Sequence, residues 1–192
     1  MFIFFNMIDD LKYHDYYQYC AHMHPYPQEN MHMRIIVVDI EASGFAGWPV
    51  EIGWSLVGSG SCRSMLIRPD PSWSRDLWDP FAEEVHGISQ EMLLSKGCDP
   101  RDVMACFLED ATGATLISDA PEFDQVWLDQ LFDVSNLSIM NRTGSPIIRS
   151  IRSVFPAYSL MHVEEKVAHR AGPDALELSN TLTKFLAFRA QV

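Results

Sequence analysis

Residues 35–38 read Ile-Ile-Val-Val, and the run closes on Asp39, Ile40 and Glu41. Successive β-branched residues favour a strand buried on both faces, because their stiff side chains suit a pleated, packed surface. Side chains alternate along a strand, so Asp39 and Glu41 share one face at the end of a buried element. Like charges placed this way need a proton or a cation to offset their repulsion, and hard divalent ions favour oxygen donors. With 15 Asp and 11 Glu in 192 residues, about one Asp-x-Glu pair arises by chance, so its context carries the weight. Here the pair directly follows the apolar run and precedes Ala42, Ser43, Gly44 and Phe45, a turn whose glycine permits close backbone approach by a ligand.

Around this core strand the chain has the profile of one ordinary globular domain, with 47% hydrophobic, 11% aromatic and 21% charged residues. Its formal charge of -12 excludes a protein that holds nucleic acid mainly through a basic surface, although bound cations can serve an acidic one. The charge is uneven: residues 141–192 hold 7 basic and 4 acidic side chains, whereas the first 140 hold 7 and 22. A polyanion would therefore meet the C-terminal part more readily. Cys20, Cys62, Cys98 and Cys106 lie far apart without paired spacing, which indicates neither a zinc site nor a disulfide framework and leads to the expectation of a reducing, cytoplasmic setting. No apolar run approaches the roughly 20 residues of a bilayer span, so no membrane is expected. The apolar start Met1–Ile8 lacks the basic lead and small-residue cleavage site of a signal peptide.

Residues 1–33 crowd Tyr13, Tyr16, Tyr17, Tyr19 and Tyr26 with four of the seven histidines and show no lasting periodicity. They are expected to be an N-terminal appendage with little order, and His22, His24 and His32 to belong to that tail rather than to a metal site. The domain proper is expected over residues 34–192. Strands are expected at 34–40, 50–57 and 64–67, then a loop over 69–80, helices at 89–96 and 100–111, and a short strand at 114–118. Pro121 and the acidic residues after it signal the start of a helix over 121–132. A fifth strand is expected at 136–140, and helices at 159–167 and 173–190.

Two further groups could carry chemistry. His169 and Asp174 flank a loop-to-helix junction, where the plain alternative is a surface histidine and a helix-capping aspartate. Ser118–Asp124 runs from a strand into a helix and bears Asp119, Glu122 and Asp124, again with a helix cap as the plain alternative.

In their order, these pieces resemble the DEDDh exonucleases, the DnaQ-like group of the ribonuclease H-like superfamily. Asp39-Ile40-Glu41 matches the family's first motif, Phe123-Asp124 its second, and His169 with Asp174 its third, H-x-x-x-x-D. Val85-His86-Gly87-Ile88-Ser89 is similar to a stretch many members carry between the first two. The resemblance covers about residues 34–188. It departs at Ala42-Ser43-Gly44, where relatives often show Thr-Thr-Gly, and at Asp119–Asp124, which is one residue longer than the usual N-A-x-F-D. Asp124 is taken as the site residue of that motif, because it follows the aromatic and falls in the first helical turn, while Asp119 suits capping.

The resemblance implies a ribonuclease H-like α/β fold: a mixed five-stranded sheet flanked by helices, with three antiparallel strands first. It implies a metal-dependent 3′-to-5′ exonuclease acting on the 3′ end of single-stranded DNA or RNA and releasing nucleoside 5′-monophosphates. Two divalent cations, Mg²⁺ or Mn²⁺, would be held by Asp39, Glu41, Asp124 and Asp174, with His169 as general base. Ala42, Ser43, Gly44, Phe45 and His86 are the expected substrate contacts, Phe45 by stacking on or wedging beside the terminal base, with simple core packing the equal alternative for Phe45 and a structural role in its loop the favoured one for His86. A homodimer is the one assembly entertained. The alternative is an inactive nucleic-acid-binding module on the same fold.

Overall fold

A computed structural model describes residues 34–135, 137, 144–160 and 169–190. The expected appendage 1–33 lies outside the described residues. Five strands form one sheet in the order β3-β2-β1-β4-β5: β1 (Ile35–Ala42), β2 (Pro49–Leu56), β3 (Arg63–Leu66), β4 (Thr115–Ser118) and β5 (Ile148–Ser150). The pairs β1–β2 and β2–β3 are antiparallel, and β4 and β5 run parallel to β1. The mixed five-stranded sheet of the ribonuclease H-like expectation is therefore present.

The two faces of β1 explain the layers. Ile36, Val38 and Ile40 pack with Ile52 and Trp54 of β2 against α3 (Pro100–Ala111) and α4 (Pro121–Ser135), meeting Met104, Phe107, Leu128 and Leu131. Ile35 and Val37 point the other way, into a cluster with Ala175, Leu178, Leu182 and Phe185 of α6 (Ala171–Arg189). Burying each of these aliphatic side chains is worth about 1.5–3 kcal/mol, so a strand apolar on both faces is held from both sides. Asp39 and Glu41 continue the row of Ile35 and Val37, which places the two carboxylates on the α6 face.

Two sequence expectations change, and a third lies mostly outside the described residues. The fifth strand is Ile148–Ser150, whereas the expected 136–140 lies outside the described residues apart from Leu137, which is in a 3₁₀ conformation. Three residues are too short to show a period, so this strand is selected by pairing with β4, Leu116 opposite Ile148 and Ser118 opposite Ser150. The loop expected to 80 gives way directly to a helix, α1 (Pro80–His86). Its start is written locally: Asp79 accepts the Phe81 N–H at 2.9 Å, Pro80 holds the first position, and Gly87 closes the helix at φ 68°. The helix expected at 159–167 falls mostly outside the described residues, and Ser159 and Leu160 end a 3₁₀ turn, Pro156–Leu160. The helices α2 (Gln90–Lys96) and α5 (Ile151–Val154) complete the order. No helix among the described residues is long and apolar enough to cross a membrane.

Candidate metal centre

Asp39 and Glu41 are placed by the alternation of β1, and Asp174 by the first turn of α6, which packs on the face of β1 and β2. Carboxylate oxygens of Asp39, Glu41 and Asp174 lie within 4.8 Å of one another. A cavity of about 210 Å³ opens on them, lined also by Asp119, His169, Glu177 and Thr181. It lies between α6 and the carboxyl-terminal half of β1, with Asp119, the residue after β4, also on its wall. A bulge in the β1–β2 pairing falls between Glu41 and Ala42, after which Ala42 pairs with Pro49.

The charges in this cavity are poorly matched by the protein alone. Burial pushes the Asp39 carboxyl up to about 9, and the nearby Asp124, Glu41, Asp119 and Asp174 add to the rise. Burial, then Asp174 and Glu51, push Glu41 up to about 7, against a lowering by Arg170. A cation would relieve the same repulsion that protons relieve here. The donors fit a hard divalent ion: they are carboxylate oxygens, close enough to share one, and without a thiolate among them.

Asp124 occupies a different position. It is 3% exposed, accepts the Ile40 N–H at 3.1 Å through one oxygen and the Ser118 hydroxyl through the other. Burial raises its carboxyl to about 7, while those two hydrogen bonds act to lower it. It therefore stands behind Asp39, tied to β1 and β4, and its field reaches Asp39. Asp119, read from the sequence as a cap, lines the cavity instead, and the Ser118 hydroxyl takes the Ala120 N–H at 3.0 Å. The physical reason is that the interior strand β4 ends at Ser118, which leaves Asp119 just past its carboxyl end, on the cavity wall.

His169 is exposed and lines the same cavity, with φ 52°, a left-handed conformation few non-glycine residues adopt. Asp174 lies inside the first turn of α6, where Arg170 is the N-cap, and it accepts the Arg170 N–H at 3.1 Å.

The turn after β1 is engaged largely with its own chain. Ser43 is fully buried; its hydroxyl accepts the Trp48 N–H at 3.0 Å, and its backbone N–H donates to the Trp48 carbonyl at 2.9 Å. What approaches Gly44 is Asp79, whose Cβ would lie 2.9 Å from a Cβ added there. Ala42 is buried, and its carbonyl lies 3.2 Å from His86 Nε2, while His86 Nδ1 accepts the Ile88 N–H at 3.0 Å. Both ring nitrogens of His86 thus serve to hold the turn, and burial lowers the imidazole pKa. Phe45 differs: it is 78% exposed, with its ring edge-on to Phe123 at 4.8 Å.

Sequence reasoning passed over Glu51, Gly53 and Arg170. Glu51 is 1% exposed and faces Glu41 across the β1–β2 pair, and Arg170 grips it with Nε at 2.9 Å and Nη2 at 2.8 Å. The signal was a charge and a glycine inside the apolar strand β2, a pattern that needs a reason.

No family model matches the chain, and no curated protein matches it. Solved structures do. Escherichia coli exonuclease I in complex with a dT13 oligonucleotide superposes with TM-score 0.56 at 12% identity, covering 82% of this chain and 40% of that one. The zinc-bound form of the E. coli exonuclease I complex with single-stranded DNA gives TM-score 0.55 at 12% identity, with coverage of 82% and 40%. Exonuclease I from Methylocaldum szegediense gives TM-score 0.51 at 13% identity, with coverage of 77% and 35%. The chain spans about a third to two-fifths of the length of these proteins, and the likeness is one of fold.

Proposed function

We propose that this protein is a metal-dependent 3′-to-5′ exonuclease on single-stranded nucleic acid. The observation that carries this reading is the meeting of Asp39, Glu41 and Asp174 within 4.8 Å, in a cavity that His169 also lines. The fold likeness to exonuclease I, solved with single-stranded DNA and with zinc, supports it. Asp39, Glu41 and Asp174 would hold divalent ions, with Asp124 supporting them directly or through water. Two such ions would neutralise charge on the scissile phosphate and on the leaving oxygen. This is how a chain of charge -12 can grip a polyanion.

The residues of the chain supply the rest. His169 takes a proton from the attacking water, whose oxygen bonds to phosphorus as the bond from phosphorus to the 3′ oxygen breaks. The 3′ oxygen leaves with a proton from solvent, which yields a nucleoside 5′-monophosphate and a strand one residue shorter. Phe45, exposed beside the turn, offers a ring on which the terminal base can stack. The test is a 5′-labelled single-stranded oligonucleotide incubated with Mg²⁺ or Mn²⁺, as matched DNA and RNA. Stepwise shortening from the 3′ end is expected. Retention of the oligonucleotide without shortening would mark an inactive binding module, and neither outcome with either ion would sink both readings.

A further inference from the structure

Strand β2 carries two residues that no strand needs for its own stability. Glu51 lies opposite Glu41 and Gly53 opposite Asp39, all on the face that α6 covers. A Cβ added at Gly53 would lie 2.1 Å from the Ala171 carbonyl carbon and oxygen, so the start of α6 rests on the bare backbone of β2. Glu51 then fastens what Gly53 admits. Its carboxylate accepts from Arg170 Nε and Nη2 and from the Ala171 N–H at 3.1 Å. The bonded residues stand between His169 and Asp174.

An ion pair with one buried partner, Glu51, and one partly exposed, Arg170, is weak evidence for stability, because desolvation of the carboxylate offsets much of the attraction. Its value lies in geometry. Two parallel bonds from a guanidinium and a third from the backbone fix both distance and direction. His169 directly precedes the gripped residue, and Asp174 bonds the Arg170 N–H, so both move with the Arg170 junction.

We propose that Glu51 is a positioning residue, whose grip on Arg170 and Ala171 sets where His169 and Asp174 stand over Asp39 and Glu41. The proposal rests on the exonuclease reading for its kinetic consequences and is independent of it for its structural ones. Glu51 touches neither substrate nor the reacting atoms; it acts through the junction.

The test compares wild type with Glu51→Gln and with the double variant Glu51→Met/Arg170→Met. The double variant replaces the pair by apolar side chains, so that neither charge is left buried and alone. Hydrogen exchange read by mass spectrometry should accelerate around residues 169–176 in the double variant and stay unchanged in the sheet. Calorimetry without nucleic acid should show Mn²⁺ affinity about tenfold weaker, as for other residues that orient ligands. On a labelled single strand, kcat should fall about 100-fold, since small misplacements of reacting groups are costly, with KM within about threefold. In a His169→Ala background the same replacement should lower kcat by under about fivefold. Unchanged exchange at the junction, unchanged Mn²⁺ affinity, or equal losses in both backgrounds would overturn the proposal, as would a rise in exchange across the whole sheet. If wild type cleaves nothing, the exonuclease reading fails, while exchange and calorimetry still decide the role of Glu51.

Discussion

Asp39 and His169 line one cavity but are asked for different work, and single substitutions separate them. Asp39 is the most strongly perturbed carboxyl described, with a pKa near 9, and it lies among the other acids. His169→Ala should lose about 10²–10⁴-fold in kcat, the span of general acid–base catalysis, and keep its Mn²⁺ affinity by calorimetry. Asp39→Ala should lose turnover and Mn²⁺ binding together; equal affinity in wild type and this variant would count decisively against the proposed centre. Asp119 and Asp124 pose a second question, because Asp119 lines the cavity while both oxygens of Asp124 are bonded within the protein. Asp124→Asn should abolish turnover and lower stability, since its bonds join α4 to β1 and β4; Asp119→Asn should leave measurable cleavage. The reverse ranking in a single-turnover assay would transfer the supporting role to Asp119.

At the scale of elements, the site is an agreement between β1, β2 and α6. The face of β1 that reads Ile35, Val37, Asp39 and Glu41 changes from apolar to acidic where the covering helix changes from Leu178 and Leu182 to Asp174. One turn of helix covers about 5.4 Å, so the position of the N-terminus of α6 decides whether Asp174 meets the strand carboxylates or misses them. Gly53 sets that position. A methyl group there would overlap the Ala171 carbonyl and force α6 outward, at about 1–3 kcal/mol for overpacking of this kind. Gly53→Ala should therefore lower the melting temperature by several degrees in calorimetry and weaken Mn²⁺ affinity, whereas Gly58→Ala, where an added Cβ meets nothing within 4 Å, should leave Mn²⁺ affinity unchanged.

For the whole molecule, the raised carboxyls tie stability to pH and to metal. Asp39, Glu41 and Asp124 sit near 9, 7 and 7, all above the unfolded carboxylate range. Between about pH 4 and 9 these three groups keep protons in the folded state that the unfolded chain has released, so their contribution to stability is fully present below that window and is lost as pH rises through it. The metal-free protein should melt at progressively lower temperature from pH 6 to pH 8.5. Divalent ions compete for the same oxygens, so Mg²⁺ should stabilise more at pH 8.5 than at pH 6. An ion present at 100 times its Kd contributes about 2.7 kcal/mol, roughly 5–10 °C for a chain of this size. A melting temperature that is flat in pH and indifferent to Mg²⁺ and Mn²⁺ would contradict the centre.

Local chemistry was legible along the chain wherever neighbours in sequence are neighbours in space. The β-branched run of β1, the shared face of Asp39 and Glu41, and the proline-led starts of helices follow from alternation and from fixed φ, which need no distant partner. β5 escaped because three residues carry no period and acquire a structure only through β4. Glu51 and Gly53 stood out as a charge and a glycine inside an apolar strand, but what they and Asp119 meet was not legible, for that depends on where another element ends or rests. A carboxylate in a strand can be a cap, a latch or an ion ligand with the same local signature. Which of these it becomes is settled by what folding sets against it: for Glu51 the guanidinium of Arg170, and for Asp39 the carboxylates of Glu41 and Asp174.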